Sequence, residues 1–137
     1  MNVFLDGSTN PSDVYKYMRL RIGKKAKAYT DKKWNIVRNY AEFTSFVKKH
    51  GIPDLISFGH DFTEEHYEIL CACGSSEDFP EKFNEETGYD CAVWIIDFYL
   101  KNGGKFPDYM VHSMNPYGAE KINNYLASYK KQFVISE

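Results

Sequence analysis

The sequence has few cysteines and no long apolar run. Its three cysteines, Cys71, Cys73 and Cys91, are not spaced as C-x-x-C, which argues against a disulfide framework and a zinc knuckle. No stretch approaches the roughly 20 apolar residues of a membrane-spanning helix. The first residues lack the basic segment that opens a signal peptide. We therefore expect a cytoplasmic domain without a membrane partner.

Excess positive charge is also absent. The net charge is −2, so no overall basic field is available for long duplex nucleic acid. The five lysines between residues 24 and 33 form a local basic run, which is typical of a solvated loop or hairpin. Apolar residues make up 43% and aromatic residues 17% of the 137 residues. This is enough for the core of one domain, which we expect to span residues 1–137.

Four short apolar runs predict strands, at residues 3–5, 34–37, 55–58 and 109–111. Helical spacing follows at residues 40–47, from Thr87 onward and after Pro116. Strands that alternate with helices predict a mainly parallel sheet covered on both faces, a three-layer α/β sandwich. Residues 133–135 predict a short edge strand or a segment lying against the sheet.

Two stretches interrupt this alternation. Residues 12–33 alternate loosely around Gly23 and Lys24 and predict an inserted hairpin or excursion, either a lid or an interaction edge. Residues 62–86 are acidic and predict an irregular loop with a short helix near residues 63–70. So long a polar stretch within a compact domain is typical of a functional or mobile segment.

Polar side chains follow every predicted strand. In chain order they are Asp6, then Arg38, then His60 with Asp61, then His112 with Ser113. The carboxyl ends of parallel strands share one edge of the sheet, and open α/β sheets bind ligands there. Because neighbouring strands lie about 4.8 Å apart, we expect these side chains to share one site.

These residue types suit a phosphate ester. Arg38 offers a bidentate clamp. Asn115 is a good N-cap before Pro116, so the amides of Tyr117 and Gly118 open a helix at a place where anions bind. His60 and His112 could divide acid and base work near neutral pH. Each of these residues also has an ordinary structural interpretation, as a satisfied buried histidine, a surface ion-pair partner or a loop cap.

Five motifs together resemble the cyclic-phosphate-processing receiver-like domain family. They are Leu5-Asp6, residues 34–38, residues 56–62, Thr87-Gly88-Tyr89-Asp90 and residues 112–118. The resemblance implies a receiver-like (flavodoxin-like) fold and the processing of terminal or nucleotide cyclic phosphates. It also implies a pocket lined by Asp6, Arg38, His60, Asp61, His112, Ser113 and Asn115.

The chain departs from that family at two positions. The family usually carries acids where this sequence has Gly7 and Gly59. Receiver domains use those acids to hold magnesium and accept phosphate, and Asp6 with Asp61 is a thin ligand set for a divalent cation. We therefore expect no metal or other cofactor, and no aspartyl phosphorylation.

Two functions follow, with a third hypothesis beside them. The first is a metal-independent phosphodiesterase that uses His60 and His112, with Arg38 and the helix amides stabilising charge and Asp61 orienting His60. The second is an inactive domain that binds a cyclic nucleotide, a phosphate or a protein. In the third, residues 12–33 hold an RNA strand whose cyclic end enters the pocket. Tyr15, Tyr17 and Tyr29 would then stack on bases, although packing in a core or hairpin explains them equally well.

Overall fold

The computed structural model describes residues 1–80 and 82–133. Its strands are β1 (Asn2–Leu5), β2 (Asn35–Val37), β3 (Leu55–Phe58) and β4 (Asp108–Val111). Its α-helices are α1 (Pro11–Ile22), α2 (Ala28–Asp31), α3 (Tyr40–His50), α4 (Glu64–Ala72), α5 (Gly88–Asn102) and α6 (Pro116–Phe133). Short 3-10 turns cover Gly23–Lys27 and Ser76–Asp78.

The four strands form one parallel sheet in the order β2-β1-β3-β4. Leu5 pairs with Val37 of β2 and Phe58 of β3, and Phe58 pairs with Val111 of β4. The strands therefore end level, and all their carboxyl ends meet at one edge. This order begins the flavodoxin-like arrangement, so the expected parallel α/β fold is confirmed.

Strand β1 shows how both faces of the sheet are covered. Successive side chains of a strand point to opposite faces. Val3 and Leu5 are buried in a core with residues of α3, α5 and α6. Phe4 is buried in a second, smaller core with residues of α1 and α2. The molecule thus has the three layers that the sequence predicts.

The predicted hairpin at residues 12–33 is wrong, because this stretch is helical. Asn10 and Asp13 form a capping box at the start of α1, and Pro11 occupies its first turn. Val14 and Met18, one helical turn apart, are the buried residues of α1. The stretch packs on the Phe4 face of the sheet. It is a layer of the domain and not a lid.

The acidic stretch contains α4, close to the short helix that the sequence predicts there, and the Ser76–Asp78 turn. Helix α6 ends at Phe133. Residues 133–135 were expected to form an edge strand or to lie against the sheet; the first of them is helical, and residues 134 and 135 lie outside the described residues. In the part of the chain that the structure describes, no helix is long and apolar enough to cross a membrane.

Candidate functional site

A cavity of about 160 Å³ lies at the carboxyl edge of the sheet. Its wall brings together five residues that the sequence places in one pocket, namely Asp6, His60, Asp61, Ser113 and Asn115, and adds Thr9, Tyr67, Leu70 and Met114. The five come from segments that follow β1, β3 and β4. The parallel register therefore creates the site, as expected for this fold class.

His112 is paired with Asp6 beside this cavity. Its Nε2 lies 2.8 Å from Asp6 Oδ2, and its Nδ1 lies 2.7 Å from Ser57 Oγ. The ring is fully buried and stacks on Phe4, with 4.4 Å between ring centroids and 8° between planes. Both ring nitrogens thus have protein partners. His112 offers neither of them to a ligand.

The protonation of this pair follows from its surroundings. Burial lowers the pKa of His112 by more than its Asp6 partner raises it. Burial alone would raise the pKa of Asp6, but hydrogen bonds from His112 and from the amides of Thr9 and Ser8 hold that pKa below its ordinary value. The pair is a neutral imidazole beside a carboxylate.

His60 is paired with Asp61 in a different way. Its Nδ1 lies 2.8 Å from Asp61 Oδ1, while Asn115 Nδ2 donates to both oxygens of Asp61 at 3.1 and 3.2 Å. The His60 side chain is buried, and its Nε2 has no hydrogen-bond partner within the described residues. The same is true of Thr9 Oγ1. Buried polar atoms are rarely left unpaired, and both of these belong to residues that line the cavity.

Two glycines bring helices against His60. A Cβ atom at Gly118 would lie 2.3 Å from His60 Cγ, so α6 packs directly on the imidazole ring. A Cβ atom at Gly88 would lie 1.7 Å from the carbonyl oxygen of Gly59. The Gly88 amide donates to the His60 carbonyl at 2.9 Å. Only glycine fits such close approaches, and they fix the position of His60.

Asn115 caps α6, as the sequence predicts, but with a consequence for the expected anion site. Its Oδ1 accepts hydrogen bonds from the amides of Tyr117 at 3.1 Å and Gly118 at 3.0 Å. Ser113 Oγ in turn accepts from the Asn115 amide at 3.1 Å. The expectation that the Tyr117 and Gly118 amides are free for a phosphate is therefore wrong, because the cap occupies them.

Arg38 lies at the same edge but serves the loop after β1. Its guanidinium donates to the carbonyl oxygens of Asp6 and Thr9 and, at 2.6 Å, to Asn10 Oδ1. It borders a neighbouring groove and not the cavity of His60. In the structure Arg38 thus holds the loop that carries Thr9, whereas the sequence predicts that it clamps a phosphate.

Gly7 and Gly59 fill the positions where acids were expected from the family pattern. A Cβ atom at Gly59 would lie 2.8 Å from the Leu5 carbonyl oxygen and 3.1 Å from Asp6 Oδ2, and one at Gly7 would lie 2.8 Å from Phe62 Cα. Backbone atoms leave no room for either acid. The oxygens of Asp6 and Asp61 accept hydrogen bonds from protein groups. Among the described residues, no three His, Cys, Asp or Glu side chains are grouped to hold a metal ion. The donor set does not fit a divalent cation.

Aromatic side chains of the acidic stretch cover His60. The rings of Phe79 and Phe83 lie 5.4 and 5.6 Å from the imidazole, between centroids. Phe79 also lies 5.5 Å from the ring of Tyr117. The rings of Phe79 and Tyr117 border a groove of about 440 Å³ between the acidic stretch and α6. His60 is thus shielded by the least regular part of the domain.

Four contributors to this edge were missed in the sequence: Thr9, Ser57, Gly88 and, as a partner of Ser57, Tyr29. Gly88 has a signal, since it stands in the Thr-Gly-Tyr-Asp helix start. The other three have none, because a single Ser, Thr or Tyr has no characteristic spacing and its role depends on distant neighbours.

Comparison with known proteins gives one match. A family model described as the Cyclic-phosphate processing Receiver domain matches residues 1–128. This range includes all four strands, helices α1 to α5 and most of α6. No curated protein and no solved structure matches the chain.

Proposed function

We infer the function from one premise: the chain belongs to the cyclic-phosphate processing receiver domain family. We propose that it binds the cyclic phosphate of a nucleotide or an RNA end at the His60 cavity and hydrolyses it without a metal ion. One observation carries this proposal. Two buried polar atoms that have no hydrogen-bond partner in the described part of the chain, Thr9 Oγ1 and His60 Nε2, belong to residues that line the same cavity.

His60 is the acid and base of this reaction. In the proposed reaction His60 donates its Nδ1 hydrogen to Asp61 Oδ1, which lies 2.8 Å away, so Nε2 carries a lone pair and takes a proton from the attacking water. Water oxygen bonds to phosphorus, and the bond from phosphorus to one ribose oxygen breaks. The imidazolium, stabilised by Asp61, returns its proton to the leaving oxygen. His60 thus carries both proton transfers in turn.

His112 acts through Asp6 and does not touch the substrate. The sequence suggests a histidine pair that divides the two transfers, but both nitrogens of His112 are occupied. Asp6 Oδ1 accepts hydrogen bonds from the backbone amides of Ser8 and Thr9, each at 2.9 Å. The His112–Asp6 pair therefore positions Thr9, whose hydroxyl donates to a phosphate oxygen in our proposal.

The groove beside the cavity suits the rest of a nucleotide. Phe79 contacts His60 on one side and Tyr117 on the other, so the two aromatic rings continue from the cavity into the groove. Bases stack on such rings without regard to sequence. A bound nucleotide requires Phe79 and Phe83 to move off His60. The hypothesis of a base on Tyr29 is wrong, because that side chain is buried in the Phe4 core.

A second candidate function is binding without hydrolysis. The observation that favours it is the packing of Gly59 against Asp6 and His112, which excludes an added acid. Among the described residues that line the cavity, only one histidine, His60, could then transfer protons. In this alternative the domain holds a cyclic phosphate or nucleotide but releases it unchanged. Turnover separates the two functions.

The test is hydrolysis of the four 2′,3′-cyclic mononucleotides, with and without EDTA, together with binding by calorimetry. We expect turnover that survives EDTA and falls about 10²- to 10⁴-fold in His60→Ala. Thr9→Val should weaken binding while keeping His60 intact. His50→Ala is the matched control, because His50 is exposed at the end of α3.

Three results would contradict the proposal in different ways. Turnover that disappears with EDTA contradicts the metal-independent mechanism. Binding without turnover supports the second function. Neither binding nor turnover with any of the four nucleotides overturns both.

A further inference from the structure

A line of hydrogen-bonded side chains runs from α2 to the cavity along the face of the sheet that carries Phe4. Tyr29 OH lies 2.7 Å from Ser57 Oγ, Ser57 Oγ lies 2.7 Å from His112 Nδ1, and His112 Nε2 lies 2.8 Å from Asp6 Oδ2. Tyr29, Ser57 and His112 are all buried, at 2%, 0% and 0% exposure. The line connects a helix on one face of the sheet with a residue of the cavity wall.

The direction of donation along this line follows from its Asp6 end. Asp6 Oδ1 accepts two backbone amides, and the pKa of Asp6 is held below its ordinary value, so Asp6 is a carboxylate and cannot donate. His112 must therefore donate from Nε2. A neutral imidazole then accepts at Nδ1, which requires the Ser57 hydroxyl to donate to it. Ser57 oxygen is left to accept the hydroxyl hydrogen of Tyr29.

Ser57, His112 and Asp6 have the hydrogen-bond order of a serine nucleophile, its base and an orienting acid. Burial excludes that role. Ser57 Oγ lies inside β3 with no exposed surface and is covered by the Tyr29 hydroxyl, so no substrate reaches it. The serine orients the histidine, and not the reverse.

We propose that Tyr29 and Ser57 are positioning residues that hold the His112 ring through Nδ1, in the orientation in which its Nε2–H, selected by the Asp6 carboxylate, is directed at Asp6. His112 then donates to Asp6, and Asp6 holds the Ser8 and Thr9 amides at the cavity. Tyr17 adds to the same assembly, since its hydroxyl donates to the His112 carbonyl oxygen at 2.8 Å. Only the assignment of Thr9 to a phosphate oxygen rests on the proposed function. The tautomer and the loop do not depend on it.

The test reads the tautomer directly. Protein with ¹⁵N-labelled histidine is recorded in long-range ¹H–¹⁵N spectra, which distinguish a protonated from an unprotonated ring nitrogen. We expect His112 to show a protonated Nε2 and an unprotonated Nδ1. In Ser57→Ala the Nδ1 acceptor loses its donor, so the Nδ1 signal should shift, while the Asp6 carboxylate keeps the proton on Nε2. Tyr29→Phe, which removes one hydroxyl, should shift the Nδ1 signal less.

Amide hydrogen exchange supplies the second readout. The Ser8 and Thr9 amides should exchange on the order of tenfold faster in Ser57→Ala, because a weakened hydrogen bond changes an opening equilibrium by about that factor. Tyr15→Phe is the matched control, since Tyr15 is a partly buried residue of the same core and no hydrogen bond of its hydroxyl belongs to the line. It should leave the His112 spectrum and both amides unchanged.

Clear results would overturn the proposal. They are a wild-type His112 protonated at Nδ1, or Nδ1 and amide signals that Ser57→Ala and Tyr29→Phe both leave unchanged. The wild-type spectrum decides the tautomer even where Ser57→Ala fails to fold. An inactive wild type with the expected tautomer contradicts the proposed function alone, and an active wild type with the other tautomer contradicts this proposal alone.

Discussion

Two Asp–His pairs lie at the carboxyl ends of the strands, and they differ in the partner of the second ring nitrogen. In each pair a ring nitrogen lies 2.8 Å from a carboxylate oxygen. The second nitrogen of His112 binds Ser57, whereas the second nitrogen of His60 has no partner within the described residues. Both histidines thus pair with an aspartate, His60 through Nδ1 and His112 through Nε2. The second nitrogen distinguishes a histidine that supports its neighbours from one that, in our proposal, acts on a ligand.

The surroundings of the two pairs differ accordingly. His112 is fully buried and stacks on Phe4 of β1, at the face of the sheet that α1 and α2 cover. His60 lies beneath Phe79 and Phe83, in a stretch with little regular structure. Segments of this kind open locally at lower free energy than the strands of a sheet. The first pair belongs to the most stable part of the domain, and the second lies under a part that can open.

Replacement of each histidine by alanine should give the largest difference in stability between the two pairs. We expect His112→Ala to lower the free energy of unfolding by about 3–5 kcal/mol, because it leaves Asp6 Oδ2 without its buried partner and removes the acceptor of the Ser57 hydroxyl. His60→Ala should cost less, about 1–3 kcal/mol, because Asn115 still donates to both oxygens of Asp61. Denaturant unfolding measures both values. Equal costs would show that the two pairs are structurally equivalent.

Gly118 offers a way to disturb the His60 pair alone. An added methyl group would overlap the His60 ring, so Gly118→Ala should cost about 1–3 kcal/mol by overpacking and should reduce turnover through displacement of His60. The matched control is Gly74→Ala, where a Cβ atom meets only a carboxylate oxygen of Asp78 at 3.4 Å. A stable and fully active Gly118→Ala would contradict the role of this contact.

The pH dependence of stability should report the His112 pair. The pKa of His112 in the folded protein is lowered from 6.5, so the unfolded chain binds a proton that the folded one does not. Stability should therefore fall as the pH drops below about 6.5, by up to about 1.4 kcal/mol per pH unit. The lowered pKa of Asp6 adds a contribution that is present above 3.8 and is lost as the pH falls through the folded value.

Two measurements check this pH dependence. Denaturant unfolding from pH 7.5 to 5.0 gives the slope, and the ring C–H signals of His112 give the protonation of the folded state. A His112 signal that titrates near 6.5, or a flat stability curve, would contradict the neutral buried ring.

Chemical accessibility should show the smallest effect. Diethyl pyrocarbonate, read by peptide mass spectrometry, should modify the exposed His50 first and leave His112 unmodified. Phe83→Ala should raise the modification of His60 several-fold by uncovering its ring. Phe98→Ala is the control, since Phe98 packs on Trp94 and not on His60. Equal reactivity of His60 in wild type and Phe83→Ala would show that Phe83 does not shield it.

Local rules predicted most of the fold. Short apolar runs located the strands, the Thr87 capping box located α5, and the parallel topology collected the strand-end residues at one edge. The same capping rule was overlooked at Asn10 and Asp13, where it marks α1 in place of a hairpin. It also bears on Asn115, since a side chain that caps a helix occupies the amides that were expected to bind an anion.

The hydrogen-bonded line to the cavity lay beyond sequence reasoning. Its contacts join residues 28, 55 and 106 positions apart. Ser57 lies within a predicted apolar strand, and Tyr29 lies within the lysine-rich stretch. No periodic pattern indicates a role for either residue. Such contacts depend on how α2 packs over the sheet, which only the tertiary structure provides.

The separation of Asp6 and His112 also bears on how the domain folds. A contact between residues 106 positions apart closes a loop over most of the described domain, and contacts of this kind form slowly because the loop entropy is lost before the contact forms. On the ribosome β1 emerges long before β4 and its histidine. The Asp6 carboxylate must therefore remain hydrated until β4 has been synthesised, and the Asp6–His112 pair forms late in the folding of the domain.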